Sequence, residues 1–247
     1  MAFITTEVAG GHVLGTESGL ERVASSPQLL ELLSRYCVTD GKPEACFVGI
    51  PSIGTGCNSE VWEVDGMAVK LSTETTGRSA WLRGPTAPEN LLNQFRFMDA
   101  LAVYFGNNAE VTAPDQYLAL RSPHGAYLLV QQYMGGWQSL QSWIDGRPTL
   151  MDDPAPIVAG VKERIKSNTR NPLIRLGLDD LGLPRQRPLY TKNILVPSDT
   201  ECADETQICI IDQPSRRLCG HVAVAGLRVA ARAHAALPRP LLSAINS

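Results

Sequence analysis

The stretch Cys46 to Ser72, CFVGIPSIGTGCNSEVWEVDGMAVKLS, admits few folds. Short runs rich in Val, Trp, Met and Ile are cut by Gly54, Gly56 and Asp65-Gly66, the pattern of three strands joined by tight turns. Asp-Gly between such runs is a hairpin signal, since a two-residue turn asks for positive φ. In GTGCNSEV the absence of side chains at Gly54 and Gly56 would let backbone amides approach phosphate oxygens. Lys70 lies on the next strand in AVK, from which a lysine facing a glycine hairpin can reach α- and β-phosphates. Taken alone, a glycine-rich hairpin and a surface lysine are the ordinary readings of these two features.

The rest of the chain alternates between clear helix and clear strand signals. Ser25 to Cys37 starts with serines and a proline and continues with Leu29, Leu30, Leu32 and Leu33, which predicts a short amphipathic helix. ENLLNQFRFMDALAVYF predicts a helix with Leu91, Phe95, Met98 and Ala102 on one stripe and Pro88 in its first turn. DQYLALRSPHGAYLLVQQYM reads as a two-stranded hairpin turning at Ser122 to Gly125. Gly135-Gly136 then breaks the chain before a short helix, Ser139 to Ile144. The segment around Pro172 predicts two helical pieces. NILVP and QICIID predict short strands either side of an acidic loop, and HVAVAGLRVAARAHAAL predicts a terminal helix that Pro238 ends. Strands come first and helices dominate afterwards, which predicts an α+β protein with two lobes. The expected divisions are a helical extension over residues 1–44, a small lobe over 45–135 and a second lobe over 136–247.

Composition narrows the function. A chain of 247 residues with 44% hydrophobic and 19% charged residues can bury a substantial core. The net charge of −3 offers no basic field for nucleic acid. No run of apolar residues is long enough to span a bilayer, and MAFITTEVAGG lacks the pattern of a secretory signal. Cys37, Cys46, Cys57, Cys202, Cys209 and Cys219 form no C-x-x-C and no metal-ligand spacing with a histidine. They read as reduced thiols of a cytoplasmic protein, although a specialised export route would leave no such mark.

In their order, the motifs from Gly54 to Asp212 resemble the protein-kinase-like fold. Gly54, Gly56 and Val61 match the glycine loop, with Ser59 where the family has a third glycine; Ala68 and Lys70 match the phosphate-binding strand. LLNQFRFMDAL resembles the helix that offers a glutamate to that lysine, and Gln94 takes the glutamate's place, with Glu89 the nearest acid upstream. YLLVQQYMGG is similar to the last strand and hinge of the small lobe. It would set Gln131 at the gate and let Gln132 and Met134 offer backbone groups to adenine. KNILV matches the end of the catalytic loop, with Asn193 a metal ligand and Leu195 beneath the base. ICIID leads to the metal-binding Asp212, and Gln213-Pro214 replaces Phe-Gly. The resemblance implies ATP and Mg2+ as ligands. RPLYTKNILV followed by IIDQPSRR is more similar to bacterial lipopolysaccharide-kinase relatives than to the main Ser/Thr protein kinases. The 35 residues after Asp212 leave room for a reduced C-terminal lobe, as in minimal bacterial kinases.

Two departures bear on activity. Five residues before the asparagine, where the family carries its catalytic aspartate, stands Pro188, which cannot accept a proton. Gln94 can hydrogen-bond Lys70 but cannot neutralise it. Asp179 or Asp180 could supply a carboxylate from the preceding segment, although solvated loop acids are their ordinary reading. A missing general base costs about 10²–10⁴-fold and leaves positioning and charge neutralisation in place. The resemblance therefore implies either an atypical ATP-dependent phosphotransferase with a rebuilt catalytic loop, or a pseudokinase that binds nucleotide and serves as a protein-interaction module. No motif identifies a phospho-acceptor or a protein partner.

Overall fold

The structure, a computed structural model, describes residues 3–8, 11–38, 46–55, 59–72, 88–121, 127–148, 153–178, 189 and 191–211. The chain divides into two compact units. The first comprises Met1–Phe95 and Asp115–Met134, the second Arg96–Pro114 and Gly135–Ser247.

The first unit is built on a seven-stranded antiparallel sheet with the order β1-β2-β7-β8-β5-β4-β3. Its strands are β1 (Phe3–Val8), β2 (Gly11–Thr16), β3 (Ser52–Thr55), β4 (Ser59–Val64), β5 (Met67–Ser72), β7 (Gln116–Arg121) and β8 (Tyr127–Gln132). Helices α1 (Glu17–Ala24) and α2 (Pro27–Val38) follow β2. The turn between β4 and β5 is made by Asp65 at φ 50° and Gly66 at φ 73°, the pair of positive angles that Asp-Gly supplies.

Alternation along the strands assigns the two faces of this sheet. Trp62, Val64, Met67, Val69, Leu71, Leu128 and Val130 form one cluster with Leu29, Leu32 and Tyr36 of α2 and Val23 of α1. Phe47 stacks on Trp62 with ring centroids 3.7 Å apart. The residues between them on the strands point the other way, where Leu14, Ala119, Tyr127 and Leu129 meet Phe95. Helix α2 starts at Ser26, whose hydroxyl accepts from the Leu29 amide at 3.1 Å and donates to the Asp65 carboxylate. One side chain thus caps the helix and ties it to the β4–β5 turn.

The helical reading of residues 1–44 is corrected in its first part. Phe3–Val8 and Gly11–Thr16 are strands, paired without irregularity from Phe3↔Thr16 to Val8↔Gly11. They fold as strands because β2 pairs with β7 and extends a sheet that already exists, a long-range contact that local pattern does not carry. Helix α1 then packs on β7. Thr16 caps it by accepting from the Gly19 amide at 3.0 Å, and a Cβ on Gly19 would stand 2.5 Å from the Tyr117 backbone. The ladder between β7 and β8 shifts register between Gln116 and Leu118, beside that contact.

Helix α3 (Pro88–Phe105) ends the first unit with Phe95 and opens the second with Arg96. The second unit continues with β6 (Val111–Thr112), β9 (Trp137–Ser139), α4 (Leu140–Asp145), α5 (Ala155–Asn168), α6 (Pro172–Gly177), a 3-10 turn (Thr191–Asn193), β10 (Ile194–Pro197) and β11 (Ile208–Ile210). Its sheet has the order β6-β11-β10-β9. The core gathers Phe97, Met98, Leu101, Trp143, Val161 and Ile210 among others. Burial on α3 exceeds the expected stripe. Phe95 and Met98 are buried and Ala102 only partly, while Phe97, Ala100, Leu101 and Tyr104 are buried as well. The helix serves a different core on either side of Phe95, so a single stripe cannot describe it. Strand β9, which the sequence reading lacked, is three residues long and pairs with β10. The expected terminal helix and the turn at 122–125 lie outside the described residues.

Candidate functional site

In the first unit the pairing register carries the motif residues into one line. Gly54 is paired with Val61, Val61 with Lys70, and Lys70 with Leu129. Directly paired residues of an antiparallel ladder point to the same face. One row along, Ala68 pairs with Gln131 and Gln131 with Gln116. Val61, Ala68, Lys70 and Gln131 therefore share the face on which Phe95 packs against Leu129, opposite the face covered by α1 and α2. Lys70 is half-buried, its stem on this row. A Cβ on Gly54 would meet nothing within 4 Å, and its φ is not in the left-handed region. The fold itself does not need glycine at 54.

Gln94 is half-buried and directly precedes Phe95 on α3, the residue that seats the helix on the Lys70 face. At the end of β8, the Gln132 amide donates to the Asp115 carbonyl at 2.8 Å, and the Gln132 side-chain oxygen accepts from the Asp115 amide at 3.3 Å. The expectation that Gln132 offers backbone groups to a base is narrowed accordingly, because its N–H is already used. Met134 is half-buried beyond the strand. Gln116, a residue the sequence reading did not single out, is buried and donates its side-chain amide to Gln131 at 3.4 Å. Nothing local in DQYLALR marks it. It lies at the irregular step in β7.

In the second unit, the 3-10 turn Thr191–Asn193 leads directly into β10. Ile194 and Val196 are buried, whereas Leu195 between them is half-buried on the opposite face. Ile194 pairs with Ile210 and Leu195 with Cys209, and the Ile211 amide donates to the Asn193 carbonyl at 2.9 Å. The structure thus brings Asn193 level with the residue that precedes Asp212. Thr191 fixes the turn from the other side by donating its hydroxyl to the Gln141 side-chain oxygen at 2.6 Å. Cys209 behind the turn is fully buried, and burial pushes its thiol far above the usual range, so it is an inert part of the core.

The start of β11 is held by a charged cluster. Arg164 of α5 donates to the carbonyls of Asp204 and Thr206 at 2.5 and 2.8 Å and to the Glu110 carboxylate at 3.3 Å. Asn168 donates to the same carboxylate at 2.8 Å, and the Ile208 amide donates to the Glu110 carbonyl at 2.8 Å. Hydrogen bonding from Asn168, and then from Arg164, holds the Glu110 carboxyl below its ordinary value. No sequence motif announced this cluster, whose Arg164 and Asn168 side chains reach partners 40 to 58 positions away.

Gly56, Asp179, Asp180, Pro188 and Asp212 lie outside the described residues. Among the described residues no group of three or more His, Cys, Asp or Glu is placed to hold a metal, and no helix is long and apolar enough to cross a membrane.

No family model matches the chain, and no curated protein matches it. Among solved structures it is similar to WaaP in complex with acyl carrier protein, over 80% of this chain and 78% of that one, with 15% identity and a TM-score of 0.37. It is also similar to the kinase domain of maize sucrose-induced receptor kinase 1 bound to AMP-PNP, over 83% of this chain and 64% of that one, with 16% identity and a TM-score of 0.36. The chain spans less than two thirds of that plant domain. A glycine hairpin, a lysine strand, a helix, a second pair of strands and then a mainly helical unit with the KNILV and ICIID strands follow one another in the order the motif reading expects, in an α+β chain of two units.

Proposed function

We propose that the chain is an atypical ATP-dependent phosphotransferase whose catalytic loop has been rebuilt around Pro188. The observation that carries this reading is the row Gly54–Val61–Lys70, with Ala68 and Gln131 beside it on the same sheet face. Apolar Val61 and Ala68 suit a flat base, and Lys70 suits phosphate oxygens. Gln94 would hydrogen-bond Lys70 and leave its charge for the nucleotide. Asn193 and Asp212 would hold Mg2+ through hard oxygen atoms, and Leu195 would lie under the base. Bound Mg-ATP would supply the phosphoryl group. The residues of the chain position it and neutralise its charge, which is most of what a loose transition state asks. Asp179 or Asp180 would supply the carboxylate that orients an acceptor hydroxyl.

Pro188 and Gln94 favour a second reading, a pseudokinase that binds nucleotide and acts as an interaction module. Calorimetry with Mg-ATP tests what the two readings share: wild type binds and Lys70→Ala binds much more weakly. Absence of binding in wild type overturns both. Transfer of label from γ-labelled ATP in the presence of Mg2+ or Mn2+, lost in Asp212→Ala, separates the enzyme from the pseudokinase.

A further inference from the structure

The first unit carries a cavity that none of the sequence motifs uses. It encloses about 350 Å³ at the rim of the seven-stranded sheet, with Gln28, Ile50, Pro51, Ile53, Glu63 and Asp65 in its lining. Two fixed turns form its walls. In one, the Ile50 amide donates to the Phe47 carbonyl at 3.0 Å, and Gly49 takes φ 88°. Phe47 stacks on Trp62 at one end of that turn, and Ile50 packs on the same apolar cluster at the other. The second wall is the β4–β5 turn, which Ser26 ties to α2 through the Asp65 carboxylate. A cavity held on both sides can accept a side chain without first ordering its own walls.

Three properties of its surroundings define the partner that fits. The cavity includes Ile53 of β3, the last strand of the sheet order, and among the described residues no strand pairs with the outer edge of β3. Such an edge presents backbone groups able to receive a further strand. Apolar surface meets solvent at the same place, with Ile53 44% exposed and Val48, in the Phe47–Ile50 turn, 83% exposed. The titratable groups in the lining are both carboxylates. Glu63 accepts from the Gly66 amide with one oxygen and Asp65 from Ser26 with one, so each keeps a second oxygen for a cation. Arg22 reaches the neighbouring Gly66 and does not line the cavity. We propose that the β3 edge and this cavity form a docking site for an extended peptide segment of another protein. The segment adds to β3 as a strand, seats an apolar side chain in the cavity and carries lysine or arginine beside it. Nucleotide plays no part in this site.

The test is fluorescence anisotropy on the full chain with a labelled synthetic peptide of alternating leucine and lysine. Two companion peptides carry glutamate in place of lysine, or N-methyl groups on alternate amides. Wild type is expected to bind the lysine peptide and to bind either companion at least about tenfold more weakly, through like-charge repulsion or lost backbone hydrogen bonds. Ile53→Ser is expected to weaken the lysine peptide about fivefold to tenfold, the scale of half-burying one isoleucine, and Glu63→Gln about threefold. Hydrogen exchange on wild type supplies a readout that needs no variant to fold. The lysine peptide should slow exchange across Ser52–Thr55 and leave Phe3–Val8, the opposite edge strand, unchanged. Failure of wild type to bind the lysine peptide, equal binding of either companion, unchanged affinity in Ile53→Ser, or protection of Phe3–Val8 in place of β3 overturns the docking site. A chain that self-associates and protects Ser52–Thr55 without any peptide gives this edge to a second copy and likewise overturns it.

Discussion

At the scale of single residues, two positions decide much of what this chain can do. Gly19 is the contact through which α1 reaches β7, and any Cβ there meets the Tyr117 backbone at 2.5 Å. Backbone cannot turn aside as a side chain can, so Gly19→Ala is expected to cost about 1–3 kcal/mol, the usual range for overpacking. Urea unfolding would read it as a lower midpoint at constant slope. A neutral Gly19→Ala would mean that α1 is not seated on β7 as described. Pro188 is the other position. If it occupies the base position of the rebuilt loop, Pro188→Asp raises kcat for any detectable transfer with little change in Mg-ATP affinity, because a base acts on the acceptor proton and not on the nucleotide. Pro188→Ala separates release of the fixed φ from the gain of a carboxylate. Equal rates in the two variants would remove Pro188 from that role, and loss of transfer in Asp180→Asn would place the base upstream.

At the scale of elements, most of the local structure was legible in the sequence because it follows from period and turn chemistry. The β4–β5 hairpin needed Asp65-Gly66, α2 needed a serine ahead of its leucines, and α4 needed Ser139, whose hydroxyl accepts from the Ser142 amide at 3.0 Å. What was not legible depends on partners far along the chain. The β1–β2 hairpin is stabilised by β7, 100 positions away for the Thr16–Gln116 hydrogen bond. The register shift in β7 beside Gln116 has no local mark, and neither does the Arg164 cluster at the start of β11. That cluster makes a pH prediction. Glu110 has its carboxyl held low in the folded state, so its contribution is fully present above its unfolded value of about 4.3 and is lost as pH falls through the lower folded value. The stability difference between wild type and Glu110→Gln should therefore be largest near neutral pH and shrink below about pH 4.3. Thermal unfolding across that range measures it. A difference that stays constant with pH would show that the carboxylate charge is not what Arg164 and Asn168 recognise.

At the scale of the whole molecule, the motif residues are divided between the two units, Gly54 to Met134 in the first and Asn193 and Leu195 in the second. The motif order in the sequence was enough to name these residues. The register was needed to show that Gly54, Val61 and Lys70 stand in one row.

The cover of the first sheet has a practical consequence for anyone preparing this protein. The face formed by Trp62, Val69, Leu71, Leu128 and Val130 has almost no contact with solvent because Leu29, Leu32 and Tyr36 lie over it. A fragment beginning at Cys46 would keep every nucleotide motif and yet turn that face into a continuous apolar surface, a seed for self-association. Size-exclusion chromatography and dye binding should find the fragment aggregated or strongly fluorescent with a hydrophobic probe. A soluble, non-binding monomer would mean that the first 45 residues can be discarded, and the motif-bearing segment would then be a self-sufficient folding unit.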